Sequence, residues 1–318
     1  LINKRSDNEF LELMANLGGH CVPTLCDAFN GIKDDKPTAF IAYTIKGWGT
    51  PLAGHKDNHA GLMTKIQMDS FKSKFGITEG NEWNSFLDAK EDLELNEFIK
   101  NSPFQKARHR KYNSKTIPVD DIILITETKI STQNAFGKIL DQYAKNDTEF
   151  GNRIITTSPD VSVSTNLGPW INKKGLFSRT DSSDTFRDRK IPSAQKWIFS
   201  SQGQHIELGI AEMNLFLMLG AAGLSHELFG ERLFPIGTVY DPFIARGLDA
   251  MNYACYQDAR FMIVGTPSGV SLAPEGGAHQ SIGTPLIGIS QPGLLSYEPA
   301  FADELSIIMN YGFNYLQD

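Results

Sequence analysis

Three cysteines in 318 residues are too few, and odd in number, to build a disulfide framework. The expected compartment is therefore reducing and cytoplasmic. Long apolar runs are lacking as well. The longest clearly apolar stretch, Leu215–Leu224, is too short to span a bilayer and is broken by glycines, so no membrane partner is expected. The first ten residues carry Lys4, Arg5, Asp7 and Glu9 in place of the apolar core of a secretory signal. There is no excess of positive charge. Thirty Lys and Arg against 37 Asp and Glu give a formal net charge of −7, which argues against a nucleic-acid partner. Internal repeats and low-complexity segments are absent. No Met stands at position 1, and both Leu1 and Asp318 adjoin helical patterns. Both ends are expected to be cuts in a longer chain, with a processed mature chain as the alternative. What remains is ordinary globular composition, 41% hydrophobic and 21% charged, at a length that suits two domains.

Residues 9–29 read as helix broken at Gly18-Gly19. Thr38–Ile45 is nearly continuous and apolar, which predicts a central strand buried on both faces. A helix follows, capped by Thr64 and stopped at Gly76. Residues 77–118 are polar and mixed, and the domain boundary is placed there. The basic run of Lys106, Arg108, His109, Arg110 and Lys111 reads as solvated linker in preference to a partner-binding strip. From Asp120 strands and helices alternate. Strands are predicted at Ile122–Thr126, Arg153–Thr157, Phe234–Val239, Arg260–Thr266 and Leu286–Ser290, and helices at Thr132–Ala144, Glu207–Gly223, Pro242–Gln257 and Pro299–Tyr311. Residues 166–204 are a polar excursion without clear period, read as a functional or partner-facing loop. This pattern predicts an α/β fold with a parallel sheet covered on both faces.

In such sheets ligands bind beyond the carboxyl ends of the strands. The loop Lys46–Gly61 offers His55, His59, Asp57 and several glycines, so its imidazoles could touch a phosphate or carry a proton. Residue types alone leave that reading level with a plain exposed loop. A zinc site is not expected there, since no third ligand lies at the usual spacing. The loop Ala273–Gly283 presents Glu275 and His279, an acid and a histidine four apart, suited to acid–base work. Glu212 is the main charge on a helix that is apolar almost all round. It either finds a specific partner in the interior or faces solvent in the first turn, where the helix dipole favours it. His20, Cys21 and Cys26 read as a histidine beside two buried thiols, because no second cysteine pair completes a metal site.

These same segments resemble thiamine-diphosphate enzymes of the transketolase superfamily, most of all the homodimeric pyruvate dehydrogenase E1 group. TIKGWGTPLAGHKDNHAG resembles the loop closing the diphosphate-binding domain, and TKISTQNAFGKIL the start of the pyrimidine-binding domain. SPDVSVSTNLGPW resembles the next strand and loop, GIAEMN the family's Gly-x-x-Glu, TVYDPFIARGLDAMN its aromatic segment, and EGGAHQ its acid–glycine–histidine loop. The family's Gly-Asp-Gly diphosphate signature is absent and is expected upstream of Leu1, with a further domain after Asp318.

The resemblance implies a thiamine-diphosphate-binding fold. Residues 1–100 would be the C-terminal part of a diphosphate-binding domain, 101–118 a linker, and 119–318 a complete or nearly complete pyrimidine-binding domain. Glu212 would hydrogen-bond N1′ of the aminopyrimidine, with Tyr240 and Phe243 packed on that ring. His55, His59 and His279 would join Glu212 in catalysis. Glu275, Asp160, Lys129 and Ser164 would face substrate. Glu212 would be buried, in a homodimer that shares its active sites, and would have no basic partner in its own chain. Thiamine diphosphate and Mg²⁺ are the implied cofactors, the Mg²⁺ ligands lying upstream. The implied reaction is oxidative decarboxylation of pyruvate, with the lipoyl domain of an E2 acyltransferase as partner. A transketolase moving ketol units between sugar phosphates is the alternative. Such an enzyme would carry Arg where Lys129 stands, but Ser164 and Thr165 keep that site partly intact. A non-catalytic remnant of the same fold is the third reading. The isolated chain is expected to be inactive.

Overall fold

The computed structural model describes residues 4–84, 92–102, 105–106, 112–180 and 188–318. Residue contacts divide the chain into two compact units, residues 1–106 and 107–318. Of the basic run, Arg108, His109, Arg110 and Lys111 lie outside the described residues. Among the described residues, no helix is long and apolar enough to cross a membrane.

In the first unit, Ser6 and Glu9 form a reciprocal capping box that starts the helix Asp7–Ala15. Gly18, at φ +101°, ends this helical stretch, and a second helix, Val22–Asn30, follows. Thr64 and Gln67 make another capping box ahead of the helix Lys65–Lys74, and Gly76 at φ +65° turns the chain after it. A further helix of the unit is Leu93–Asn101. The strand expected at Thr38–Ile45 is not formed. The segment has no regular structure, and Ile41 is 91% exposed. A strand needs a neighbour to take its backbone hydrogen bonds, and the described residues of this unit offer none. Side chains tie the segment down, as Ile45 N–H donates to His20 Nε2 at 2.8 Å and Phe40 meets Phe29 at 4.7 Å. His20 in turn stacks on Trp48 at 4.5 Å. Cys26 is exposed and Cys21 half-buried, so the expected buried thiol pair is not found. None of the described residues of this unit is fully buried.

The second unit is built on a six-stranded parallel sheet, ordered β3-β2-β4-β1-β5-β6. The strands are β1 Ile154–Ser158, β2 Leu176–Phe177, β3 Phe199–Ser200, β4 His205–Glu207, β5 Phe234–Val239 and β6 Met262–Gly265. Thr156 of β1 pairs with His205 on one side and Ile236 on the other. Every residue of β5 is buried, as an apolar run in a parallel sheet requires. One core cluster gathers Phe136, Tyr143, Trp170 and Phe313, from the helices Thr132–Asn146, Gly168–Lys174 and Ala302–Tyr315. Tyr143, Phe150, Phe234 and Phe313 meet edge to face within it. The other gathers Leu215, Phe216, Leu219, Met251 and Ala254, from the helices Glu212–Gly223 and Leu248–Tyr256.

Four expectations are corrected here. Ile122–Thr126 is not a strand; Ile123 and Ile125 pack on the core while Ile122 and Leu124 are exposed, so the alternation is real but no ladder forms. Leu286–Ser290 belongs to a helix, Thr284–Ser290, with Pro285 in its first turn, where a missing N–H costs nothing. Glu207–Gly223 is two elements, because β4 ends at Glu207 and Gly209 at φ +67° turns the chain before the helix begins at Glu212. Pro242–Gln257 likewise splits into a 3₁₀ segment, Asp241–Gly247, and the helix Leu248–Tyr256.

Candidate active site

Four loops leave the carboxyl ends of β1, β4, β5 and β6, and they carry the predicted residues of the second unit except Lys129. Tyr240 is the first residue after β5 and is buried. Its ring lies 5.8 Å from Phe243 and 6.0 Å from His279, and Phe243 lies 5.3 Å from His279. The Tyr240 hydroxyl donates to Ser164 Oγ at 2.7 Å. His279 is held on a short turn after Gly276, whose φ of +90° lets the backbone reverse. Its Nε2 stands 3.9 Å from Glu275 Oε2, and its buried Nδ1 has no hydrogen-bond partner among the described residues. A buried polar nitrogen left open beside two aromatic rings is costly unless a ligand completes it.

Glu212 opens its helix with its side chain 11% exposed. Contrary to the expectation that it has no basic partner in its own chain, it has one. Arg246 Nη1 donates to Glu212 Oε1 at 2.6 Å, and the same guanidinium lies 3.7 Å from the centre of the Phe243 ring. Arg246 therefore joins Glu212 to the ring cluster.

Glu207, His205 and Ser162 were not foreseen. Glu207 Oε1 accepts from the backbone N–H groups of Asp160, Leu208 and Gly209, at 2.8, 3.1 and 3.2 Å. Burial pushes its carboxyl up. His205, the Ser162 hydroxyl and the Asp160 amide outweigh that and hold it down at about 2. Asp241 was also missed. It is buried, Gly269 N–H reaches its Oδ2 at 3.0 Å, and its Oδ1 has no partner among the described residues. Burial pushes this carboxyl up against the pull of the Gly269 amide. The available sequence signal for Glu207 was the His-Ile-Glu alternation, which puts His205 and Glu207 on one face of a strand.

Asp160 is exposed, at φ +63° in the loop after β1. Lys129 is exposed in a surface depression with Glu127, Lys138 and Asn166, and no described contact brings it to the ring cluster. In the first unit, Lys46 Nζ is 2.6 Å from His59 Nδ1, and Asp57 N–H donates to His55 Nδ1 at 3.1 Å. Among the described residues, no group of three or more His, Cys, Asp or Glu could hold a metal ion.

The pyruvate dehydrogenase E1 component middle domain matches residues 123–317. The chain is 27% identical to the pyruvate dehydrogenase E1 component of Pseudomonas aeruginosa, over 98% of this chain and 37% of that protein. The corresponding figures for the Escherichia coli K12 protein are 25%, 93% and 35%. The chain thus spans little more than a third of the length of these curated relatives. Among solved structures, transketolase from Campylobacter jejuni superposes with a TM-score of 0.62 at 16% identity, over 92% of this chain and 43% of that one. Transketolase from Leishmania mexicana gives 0.61 at 17%, over 92% and 42%. These likenesses show a shared fold. With a family match across more than half of its length, the chain belongs to the pyruvate dehydrogenase E1 component middle-domain family.

Proposed function

We propose that this chain supplies the aminopyrimidine side of a thiamine diphosphate site in a pyruvate dehydrogenase E1 enzyme. The convergence of Glu212, through Arg246, with Tyr240, Phe243 and the open Nδ1 of His279 carries this reading. Two rings to pack on, a carboxyl and an open polar nitrogen suit a flat heterocycle with hydrogen-bonding edges. When bound, thiamine diphosphate supplies an electron sink for carbon–carbon cleavage beside a carbonyl. Glu212 holds and moves the proton at the ring nitrogen. Tyr240 and Phe243 orient the ring and keep water from it. His279, backed by Glu275, serves substrate acid–base chemistry. Asp160 and Ser164 lie on the same strand-end loops and are assigned to the substrate side, as is Lys129.

Residues 1–100 are assigned to the end of a diphosphate-binding domain, 101–118 to a linker and 119–318 to the pyrimidine-binding domain. His55 and His59 would then act from the first of these. Mg²⁺ ligands are assigned to the part of the protein that precedes this chain. A homodimer in the cytoplasm, acting on a 2-oxoacid and passing its product to an E2 lipoyl domain, completes the proposal. Transketolase is the second reading, favoured by the structural neighbours and by the seat of Ser164 beside Tyr240.

The test uses the full-length protein that contains this chain. Calorimetric binding of thiamine diphosphate with Mg²⁺, followed by turnover on pyruvate, supports the proposal. Turnover on a ketose phosphate but not on pyruvate supports transketolase. Failure to bind the cofactor leaves a non-catalytic remnant of the fold.

A further inference from the structure

Between β1 and β4 lies a set of polar side chains that the proposed chemistry does not use. His205 is completely buried. Its Nδ1 is 2.8 Å from Thr156 Oγ1, and its Nε2 is 3.0 Å from Ser162 Oγ. The Ser162 hydroxyl donates to Glu207 Oε2 at 2.6 Å. Serine, histidine and an acid together invite a nucleophile reading, but the geometry opposes it. Ser162 is 3% exposed, so no substrate reaches it. Glu207 stands 3.6 Å from Nε2, the nitrogen that already faces the serine, and not at Nδ1, where an orienting acid belongs. The set instead fixes the Glu207 carboxylate in one place.

The other oxygen of that carboxylate gathers the three backbone N–H groups of Asp160, Leu208 and Gly209. Asp160 belongs to the loop after β1, which runs on to Ser164, the acceptor of the Tyr240 hydroxyl. Leu208 and Gly209 belong to the loop after β4, which runs on to Glu212. Gly209, at φ +67°, is the turn between strand and helix. Hydrogen bonds to a charged acceptor are about twice as strong as neutral ones.

We propose that Glu207 is a positioning residue, one carboxylate that ties the loop carrying Ser164 to the loop carrying Glu212 and so fixes both around Tyr240. The task given to Glu212 rests on the thiamine diphosphate reading; the tie itself stands apart from it.

The test is amide hydrogen exchange on the full chain, unaltered and as Glu207→Ala and Glu207→Gln, with turnover of the corresponding full-length proteins in parallel. Alanine leaves the Asp160 and Gly209 amides without this acceptor, while Leu208 N–H keeps the carbonyl of Ser158 at 3.1 Å. Exchange at Asp160 and Gly209 should accelerate by about tenfold or more, the loss of a charge-assisted bond at each, and at Leu208 by less, because Ser158 still accepts from it. The amides of β5 should keep their protection. Glutamine retains one acceptor oxygen and should accelerate the same three amides to a smaller extent. In the full-length protein, kcat should fall by about ten- to a hundredfold for alanine, recover in part for glutamine, and change more than KM. Unchanged exchange at the three amides overturns the proposal. So does equal acceleration across β5, which would make Glu207 a stability residue only. If the alanine variant does not fold, the same three amides in the glutamine variant decide. If the unaltered full-length protein binds no thiamine diphosphate, the cofactor reading falls, and the exchange pattern still decides the tie.

Discussion

Arg246 holds Glu212 by a 2.6 Å charge-assisted hydrogen bond while its guanidinium rests 3.7 Å from the centre of the Phe243 ring. The arginine is half exposed and the glutamate is 11% exposed. Water therefore screens one partner and not the other. The pair's coupling should lie near the upper end of the range for surface pairs, about 1 kcal/mol. A double-mutant cycle of Arg246→Gln and Glu212→Gln, read by urea unfolding, measures it. Raising the ionic strength should shrink the coupling, because the Arg246 end is open to ions. A coupling of about 3 kcal/mol, insensitive to salt, would mean that the pair is far more enclosed than its exposure shows.

Acid should weaken the fold through Glu207. Its carboxyl sits at about 2 in the folded chain, because His205, Ser162 and the Asp160 amide overcome the opposing effect of burial. A depressed carboxylate stabilises the fold fully above its ordinary value of 4.5 and loses that contribution as pH falls towards 2. With its side chain 29% exposed, the contribution is about 2–3 kcal/mol. Urea unfolding of the parent and of Glu207→Gln should therefore differ most near pH 7 and converge below pH 3. A difference that stays constant across that window would mean the carboxylate charge plays no part.

What the sequence made legible was set by pattern length. Phe234–Val239 was read with the bounds it has, because six consecutive buried positions leave little choice. Thr38–Ile45 carries the same apolar signal but no ladder partner, and a run of that kind says what a segment is made of without saying what it pairs with. Leu286–Ser290 failed for a related reason, since a short apolar run does not separate strand from helix. At the candidate site, Tyr240 and Phe243 are expected from motif resemblance and Glu275 and His279 already from their spacing in a loop; the structure groups the two rings with His279 and sets Glu275 beside that histidine. Arg246 was not found, because its partner Glu212 lies 34 residues away on another element. Glu207 was hidden by the brevity of β4, whose three residues hold a single alternation, too short to announce a strand.

Gly247 marks where the helix carrying Glu212 presses against the segment after β5. A Cβ placed there would stand 2.2 Å from Phe216 Cδ2 and 2.9 Å from the Glu212 carbonyl oxygen. Phe216 is fully buried within a close-packed core cluster. Gly247→Ala should destabilise the chain by about 1–3 kcal/mol through overpacking. It should also displace the first turn of the Glu212 helix. Thermal unfolding checks the first effect, and altered coupling between Arg246 and Glu212 checks the second. A stability change within about 0.5 kcal/mol, the ordinary range for surface substitutions, would show that the helix yields freely at this point.

The most demanding prediction concerns Glu212 itself. Glutamine has the same shape and can still take the Arg246 hydrogen bond through its carbonyl oxygen. Glu212→Gln should therefore cost the fold only about 1 kcal/mol. Proton delivery is another matter, because an amide cannot stand in for a carboxyl that gives and takes a proton. In the full-length protein, turnover should fall by about 10²–10⁴-fold, the usual worth of a general acid–base group. Glu212→Asp, one carbon shorter, keeps the proton but withdraws it from the rings, so it should lie between the parent and glutamine. Steady-state turnover of the three proteins, with unfolding measured alongside, separates chemistry from folding. Turnover within a few-fold of the parent in the glutamine variant would remove Glu212 from the reaction and leave the Arg246 pair as a structural contact.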